Sequence, residues 1–391
     1  MKIKYEQLSL QEAMQTYCDW LLSQMPKFQS PPYEWYFLFY PIRTLLLGAR
    51  LLQRDEYAQA VWPHLDNYIG EQLPNGALSS NFRGKPAAEL SQKEIEHLLR
   101  TGKFNLADNG SNVHALIQAA QYCQDTERRE RYLAAAKKWL DCWVPIWGLA
   151  DGSYGNGIWG GHKLNGTYSM AMNVCSAFAA YTLATGDRHY IENAEGFAQF
   201  QCANWHQAGI PIRFNVYPMP EHKALIGDYG RIFYMLEALC WTHYVSENQE
   251  IRQTIADRLR QWLQADILKR FPVEKPWFDL NKLYLRQVVK DPLEGWDDSA
   301  HDGLRFYWQV AKCCAIPHLL GYYCNHIEDR EDIRLRVQKA GQYLANPLQA
   351  RMCAVMADDV EPEFCMQATG FAGLSLAEAL VSDSPFQAYH R

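Results

Sequence analysis

Residues 168–201 read YSMAMNVCSAFAAYTLATGDRHYIENAEGFAQFQ. The first half, 168–184, has no charged residue and is apolar on nearly every side at helical spacing, which predicts a helix buried all round. ATGDR (184–188) is a short polar turn. The second half, 188–201, sets an apolar stripe beside a charged one, as a helix with one face in solvent does. A fully buried helix, a tight turn and a half-exposed helix make an α-hairpin that must pack on others like itself.

The same unit recurs along the chain. Charged-face helices are predicted at 57–72, 130–143, 251–264 and 332–344, after the turns LQRDE, QDTER, VSENQE and IEDRED. More apolar helices precede those turns at 37–52, 111–123, 230–245 and 303–323, and a last one lies at 371–380. The opening segment SLQEAMQTYCDWLLSQM (9–25) supplies a sixth outer helix. A repeat of roughly 60–75 residues is longer than ordinary solenoid units. Six inner and six outer helices predict an all-α fold, an (α/α)6 toroid of alternating inner and outer helices. No Ser/Gly/Pro linker divides the chain, so 1–391 is expected to be one domain. Pro41 and Pro317 fall within two inner helices and are expected to kink or shift them.

The connections are unequal. Inner-to-outer turns take about 3–6 residues and outer-to-inner connections about 20–35; loops of the latter length are usually functional. In an alternating ring the long loops all emerge at the end where the inner helices begin. Helix N-termini stabilise carboxylates, so that end is expected to hold a cleft lined by acids and aromatics.

Composition narrows the function. With 48% hydrophobic and 21% charged residues the balance is that of an ordinary globular protein. A net charge of −6 argues against nucleic acid as partner. No segment reaches the apolar length of a membrane span. No secretory leader opens MKIKYEQLSLQEAMQTY, and the 11 cysteines include no C-x-x-C pair, so a cytoplasmic protein with reduced thiols is expected. No metal and no cofactor is expected. Thirteen Trp and 23 Tyr suit a large helical core and, where they border a cleft, the stacking of sugar rings.

Five stretches concentrate chemistry. GWDDSAHDG (295–303) offers Trp296, Asp297, Asp298, His301 and Asp302. LADNGSN (106–112) offers Asp108, either as a helix cap or as an acid facing the cleft. LIGDYGR (225–231) offers Asp228, Tyr229 and Arg231. SPPYEWYF (30–37) and GSYGNGIWGGHK (152–163) add Glu34, Trp35, Tyr36, Trp159 and His162. Glycoside hydrolysis needs one carboxylic acid and one carboxylate. Asp108, Asp228 and Asp298 are the candidate catalytic acids. Trp35, Tyr36, Trp159, His162, Tyr229, Arg231, Trp296, Asp297 and His301 are the candidate substrate contacts.

Over essentially its whole length the pattern resembles the six-hairpin (α/α)6 glycosidase superfamily, most nearly its unsaturated uronyl and rhamnogalacturonyl hydrolases. LADNGSNVHALIQA (106–119), LATGDRHYIENAEGFAQFQ (183–201) and QATGFAGLSLAEAL (367–380) carry the resemblance. It implies hydrolysis of an oligosaccharide, uronic-acid-containing ones included, with Asp108 matching a site Asp at the start of the second inner helix. A second Asp of that family, opening the third inner helix, has no counterpart in NGTYSMAMNV (165–174). QLPNGALSS (72–80) and LADGSYGNGIWGG (149–161) also look like turns of terpene cyclases and protein prenyltransferases, but the DxDD tetrad is absent. An isoprenoid enzyme, a non-catalytic sugar-binding toroid and a sugar epimerase are the alternatives.

Overall fold

The computed structural model describes residues 6–28, 33–207, 209–214, 224–226, 229–268, 312–351, 353–357 and 361–381, with backbone alone at 224–226, 229–231 and 266. The fold is all-α with two small sheets. In chain order the helices are α1 (Leu10–Gln24), α2 (Phe39–Leu51), α3 (Asp55–Gln59), α4 (Trp62–Gly70), α5 (Gln92–Thr101), α6 (Leu106–Tyr122), α7 (Thr126–Lys138) and α8 (Asn173–Thr185). There follow α9 (His189–Ala203), α10 (Tyr229–Val245), α11 (Gln249–Trp262), α12 (Ile316–His326), α13 (Glu331–Leu344), α14 (Pro347–Arg351) and α15 (Pro362–Leu380).

Burial follows the charge pattern. Every residue of α6 from Leu106 to Ala120 is buried, and α8 is buried from Asn173 to Thr182. In α11, by contrast, only Ile251, Ile255, Ala256, Leu259 and Trp262 are buried, one helical stripe. The apolar helices α2, α6, α8, α10, α12 and α15 pack each on the next, and α15 packs back on α2. The charged-face helices α7, α9, α11 and α13 each pack on the apolar helix just before them, while α1 packs on both α2 and α15. One apolar cluster runs through all of these, from Ala13 to Ala377.

The turns between hairpin arms end helices by ordinary means. Gly186 takes a left-handed conformation (φ 76°) after α8. Asp125 and Asn248 cap α7 and α11 by accepting backbone N–H groups of the first turn.

Several boundaries differ from expectation. α6 begins five residues earlier than 111 and α15 nine residues earlier than 371, because DNG and ATGFAG continue the helix where they suggest turns. Glycine is needed there for proximity rather than bending. A Cβ on Gly110 would stand 2.6 Å from the backbone of Asn173 in α8, and one on Gly370 would stand 2.4 Å from the nitrogen of Pro41 in α2. Pro41 does not kink α2: it sits in the first turn, where its missing N–H has no intrahelical partner to lose. Pro317 enters the first turn of α12 just after a turn at Cys314–Ala315, so the described part of the 303–323 helix is interrupted there. The expected 57–72 helix divides into α3 and α4.

The long connections carry their own structure. Helix α5 lies in the connection after α4. β1 (Lys103–Asn105), β2 (Gly157–Trp159) and β3 (His162–Leu164) form an antiparallel sheet pairing Lys103 with Trp159 and Trp159 with His162. Gly160 and Gly161, both at positive φ, turn the β2–β3 hairpin. β4 (Ile212–Phe214) pairs with β5 (Ala224–Ile226). Among the described residues no helix is long and apolar enough to cross a membrane, and all 11 cysteines are free thiols, Cys142 alone exposed.

Gly370→Ala should lower stability by about 1–3 kcal/mol, since the added methyl meets backbone that cannot give way. Gly70→Ala, with nothing within 4 Å of its added Cβ, should leave stability unchanged or slightly raised. Urea unfolding of the two variants checks the contrast, and equal midpoints would remove the close-approach argument.

Candidate functional site

The first turn of α6 is built around Asn105. Its side-chain oxygen accepts from the backbone N–H of Asp108 at 2.7 Å, and its Nδ2 donates to Asp108 Oδ2 at 2.7 Å and to Ser80 Oγ at 2.8 Å. Asn105 is therefore the cap, and Asp108 is an acid held two residues inside the helix. Asn156 fixes the same turn from the 148–159 loop: its side-chain oxygen accepts from Ala107 N–H and its carbonyl accepts from Leu106 N–H. Asn173 at the start of α8 donates to the Ala107 carbonyl at 2.6 Å. Asn109 serves structure: it accepts from Tyr68 OH and donates to the carbonyls of Leu78 and Asn105.

Asp108 is 8% exposed. Burial, and then the nearby Glu34 charge, push its carboxyl up to about 6, against the opposing pull of Asn105, Lys103 and Lys312. A carboxyl that keeps its proton into the near-neutral range is suited to protonate a leaving group.

Three backbone segments lie side by side next to it. Trp35 N–H donates to the Ser80 carbonyl at 2.8 Å, Ser80 N–H donates to the Lys103 carbonyl at 2.9 Å, and Glu34 bridges to Asn81. This brings Glu34 and Lys103 across from each other, and Lys103 Nζ donates to Glu34 Oε1 at 2.5 Å. The Lys103 ammonium also stands 4.8 Å from the centre of the Trp159 ring. Trp159 is partly exposed and its cross-strand neighbour His162 is exposed.

Just before α2 and on α10, Tyr36 OH and Tyr234 OH are hydrogen bonded, and the Lys312 ammonium stands 4.9 Å from the Tyr234 ring centre and 5.9 Å from that of Tyr36. Burial holds the Tyr234 phenol well above its ordinary range. One turn further along α10, Glu237 accepts from Tyr40 OH at 2.9 Å and pairs with Arg43 at 2.7 Å, with both charged side chains 1% exposed. Tyr40 OH also lies 3.5 Å from Ser111 Oγ.

Of the expected site residues, the structure brings Asp108, Tyr36 and Trp159, with His162 beside Trp159, to the starts of α2 and α6 and the adjoining β-sheet. Trp35 does not face an opening. It is 1% exposed, packs on Phe82 and Tyr68, and donates to Glu71 Oε2 at 3.1 Å, so it braces the loop after α4. Tyr229 and Arg231 lie in the first turn of α10, their side chains outside the described residues. Asp228, Trp296, Asp297, Asp298 and His301 lie outside the described residues altogether. Among the described residues no group of three His, Cys, Asp or Glu side chains has metal-binding proximity.

The sequence offers Glu34 without a role, and sequence reasoning does not reach Lys103, Tyr234, Lys312 or the Arg43–Glu237 pair. Lone charges in helices otherwise apolar all round are a readable signal, since a buried charge needs a partner. Lys103 had a weaker one, standing two residues before the cap of a buried helix.

A cavity of about 510 Å³ lies elsewhere, between α7 and α9, lined by Lys137, Asp141, Tyr154, Phe178 and Tyr190 among others. Its polar groups are already engaged with one another: Lys137 donates to Tyr190 OH, which donates to Asp141. None of the Asp108 group borders it.

No protein-family model matches the sequence, and no curated protein matches it. Among solved structures, one titled a polysaccharide lyase aligns over 94% of this chain and 97% of its own, with a TM-score of 0.56 and 14% identity. At that identity the likeness is one of fold.

Asp108 also gives a stability test. Its folded-state carboxyl binds its proton more tightly than the unfolded one, so stability falls as pH rises from about 4 to about 6 and stays lower above. Asp108→Asn removes that cost and should be more stable than the parent by on the order of 3 kcal/mol at neutral pH, and equal to it near pH 4. Chemical denaturation at both pH values measures this; a variant no more stable at neutral pH would show that Asp108 is not held protonated.

Proposed function

We propose that the chain is a single-domain (α/α)6 toroid and a carbohydrate-active enzyme, a glycoside hydrolase acting on an oligosaccharide, with Asp108 as its general acid. The observation that carries this reading is Asp108, buried at the start of α6 with its carboxyl pushed up to about 6, near Lys103, whose ammonium stands against the partly exposed Trp159. The closed succession of packing from α2 to α15 and back supports the toroid. The solved polysaccharide lyase of similar fold supports carbohydrate as the substrate class. Trp159 and His162 supply a stacking surface and a polar contact. Tyr36, Tyr229, Arg231, Trp296, Asp297 and His301 are proposed to complete the substrate contacts, and Asp228 and Asp298 are the sequence-based candidates for the second carboxylate. A uronic-acid-containing oligosaccharide would find a partly exposed cation in Lys103.

A second reading is elimination, favoured by the hydrogen-bonded Tyr36–Tyr234 pair beneath Lys312. One phenolate would remove the proton next to a uronate carboxylate while a phenol protonates the leaving oxygen. The upward shift of Tyr234 disfavours a phenolate and ranks this reading below hydrolysis.

A panel of neutral and uronic-acid-containing oligosaccharides, including unsaturated ones, tests both. Hydrolysis in oxygen-18 water places the label in the product and elimination leaves an ultraviolet-absorbing double bond without label. Asp108→Asn should cut turnover about 10²–10⁴-fold with the fold intact. Full activity in that variant would end the hydrolase assignment.

A further inference from the structure

We infer that Glu34 is the carboxylate partner of Asp108, ion-paired with Lys103 and acting as the base that activates the attacking water. This deepens the hydrolase reading and rests on it.

Paired carboxylates do acid–base work when their surroundings push their protonation apart. The surroundings of the two carboxylates differ here in burial and in hydrogen-bond partner. Asp108 is 8% exposed, receives one side-chain amide donor and lies near a second negative charge, Glu34, which favours its neutral form. Glu34 is more open, its side chain 21% exposed, and accepts a charge-assisted hydrogen bond from the Lys103 ammonium on Oε1 at 2.5 Å. Among the described residues, the charged groups acting on Asp108 include Glu34, Lys103 and Lys312, with the Tyr68 and Tyr234 hydroxyls also sensing its charge. Of these described residues Glu34 is the other carboxylate.

The backbone holds the pair in register. Glu34 lies beside Asn81, Ser80 lies beside Lys103, and Ser80 Oγ accepts from the Asn105 side chain that grips Asp108. Trp159, paired across β1–β2 with Lys103, places an aromatic face beside the ammonium. A sugar stacked on Trp159 therefore lies next to the Glu34–Lys103 pair.

In the step, Asp108 transfers its proton to the glycosidic oxygen as the bond from that oxygen to the anomeric carbon breaks, the bonding electrons staying with the oxygen. Water forms its bond to the anomeric carbon and gives a proton to Glu34. One water is consumed, Asp108 is left as carboxylate and Glu34 as acid, and solvent exchange restores both.

The test compares Glu34→Gln, Glu34→Ala, Asp108→Asn, Asp228→Asn and Asp298→Asn on the oligosaccharide that the parent hydrolyses. Both Glu34 variants should lose about 10²–10⁴-fold in turnover while keeping the parent's circular dichroism and most of its melting temperature. Sodium azide or formate should restore part of the Glu34→Ala rate by replacing the missing anion, a rescue that a merely structural ion pair would not show. If Glu34→Gln turns over within about threefold of the parent, well inside the loss expected of a missing base, while Asp108→Asn is inactive, the inference fails and the hydrolase reading stands, with the second carboxylate at Asp228 or Asp298, whichever variant is inactive. A folded, inactive Glu34→Ala that neither anion rescues also overturns it. An active Asp108→Asn would instead sink the underlying reading.

Discussion

The close approach of α6 to α8 at Gly110, and of α15 to α2 at Gly370, is the constraint on which the rest of the structure depends. Helices apolar on every side gain nothing from solvent, so each must be covered by neighbours on both flanks and by an outer helix behind. Glycine at the crossing points lets backbones meet where a methyl would collide. The same contacts fix how far α6 slides along α8 and α15 along α2. Asn173, at the start of α8, donates to the Ala107 carbonyl one residue before Asp108, so packing and site geometry are set by one interface.

That coupling explains why a carboxyl can be kept in so unfavourable a place. Asp108 sits where the positive end of α6 and an amide donor lower the cost of its charge, yet burial and Glu34 raise it more. The surrounding amides, Asn105, Asn109, Asn156 and Asn173, anchor the turn to its neighbours and carry no charge themselves. Within this neutral frame, Lys103, Lys312 and Glu34 are the charges among the described residues that tune Asp108. Sites of this kind give up some stability for a proton held near neutrality.

The hairpin repeat was legible because each inner helix is apolar on all sides and each outer one on a single stripe, a difference in charge visible without coordinates. Helix starts were not. DNG and ATGFAG resemble turns locally, and only the facing backbone of α8 or α2 explains their glycines. Asp108 was legible as a polar residue at an inner-helix mouth, but whether it capped the helix turned on Asn105, one of two side chains equally able to cap. Trp35 read as a possible sugar wall because exposure is not written in residue type; its indole found Glu71 instead. Glu34 and Lys103, 69 positions apart, meet only because the 80–81 segment threads between their strands. Sequence spacing carries no trace of such a contact.

The Arg43–Glu237 pair shows the same logic deeper in the fold. Two charges that are each 1% exposed repay their desolvation poorly as stability alone. With Tyr40 bonded to Glu237 and Ser111 within reach of Tyr40, they form a polar layer one turn below the Tyr36–Tyr234 pair. An apolar core at that level would let the tyrosines settle in many rotamers. A charged pair with directional hydrogen bonds fixes Tyr40, and through the packed rings of Tyr40 and Tyr234 it limits where the Tyr36–Tyr234 pair can stand. The layer is thus better understood as support for the groups above it than as a source of stability.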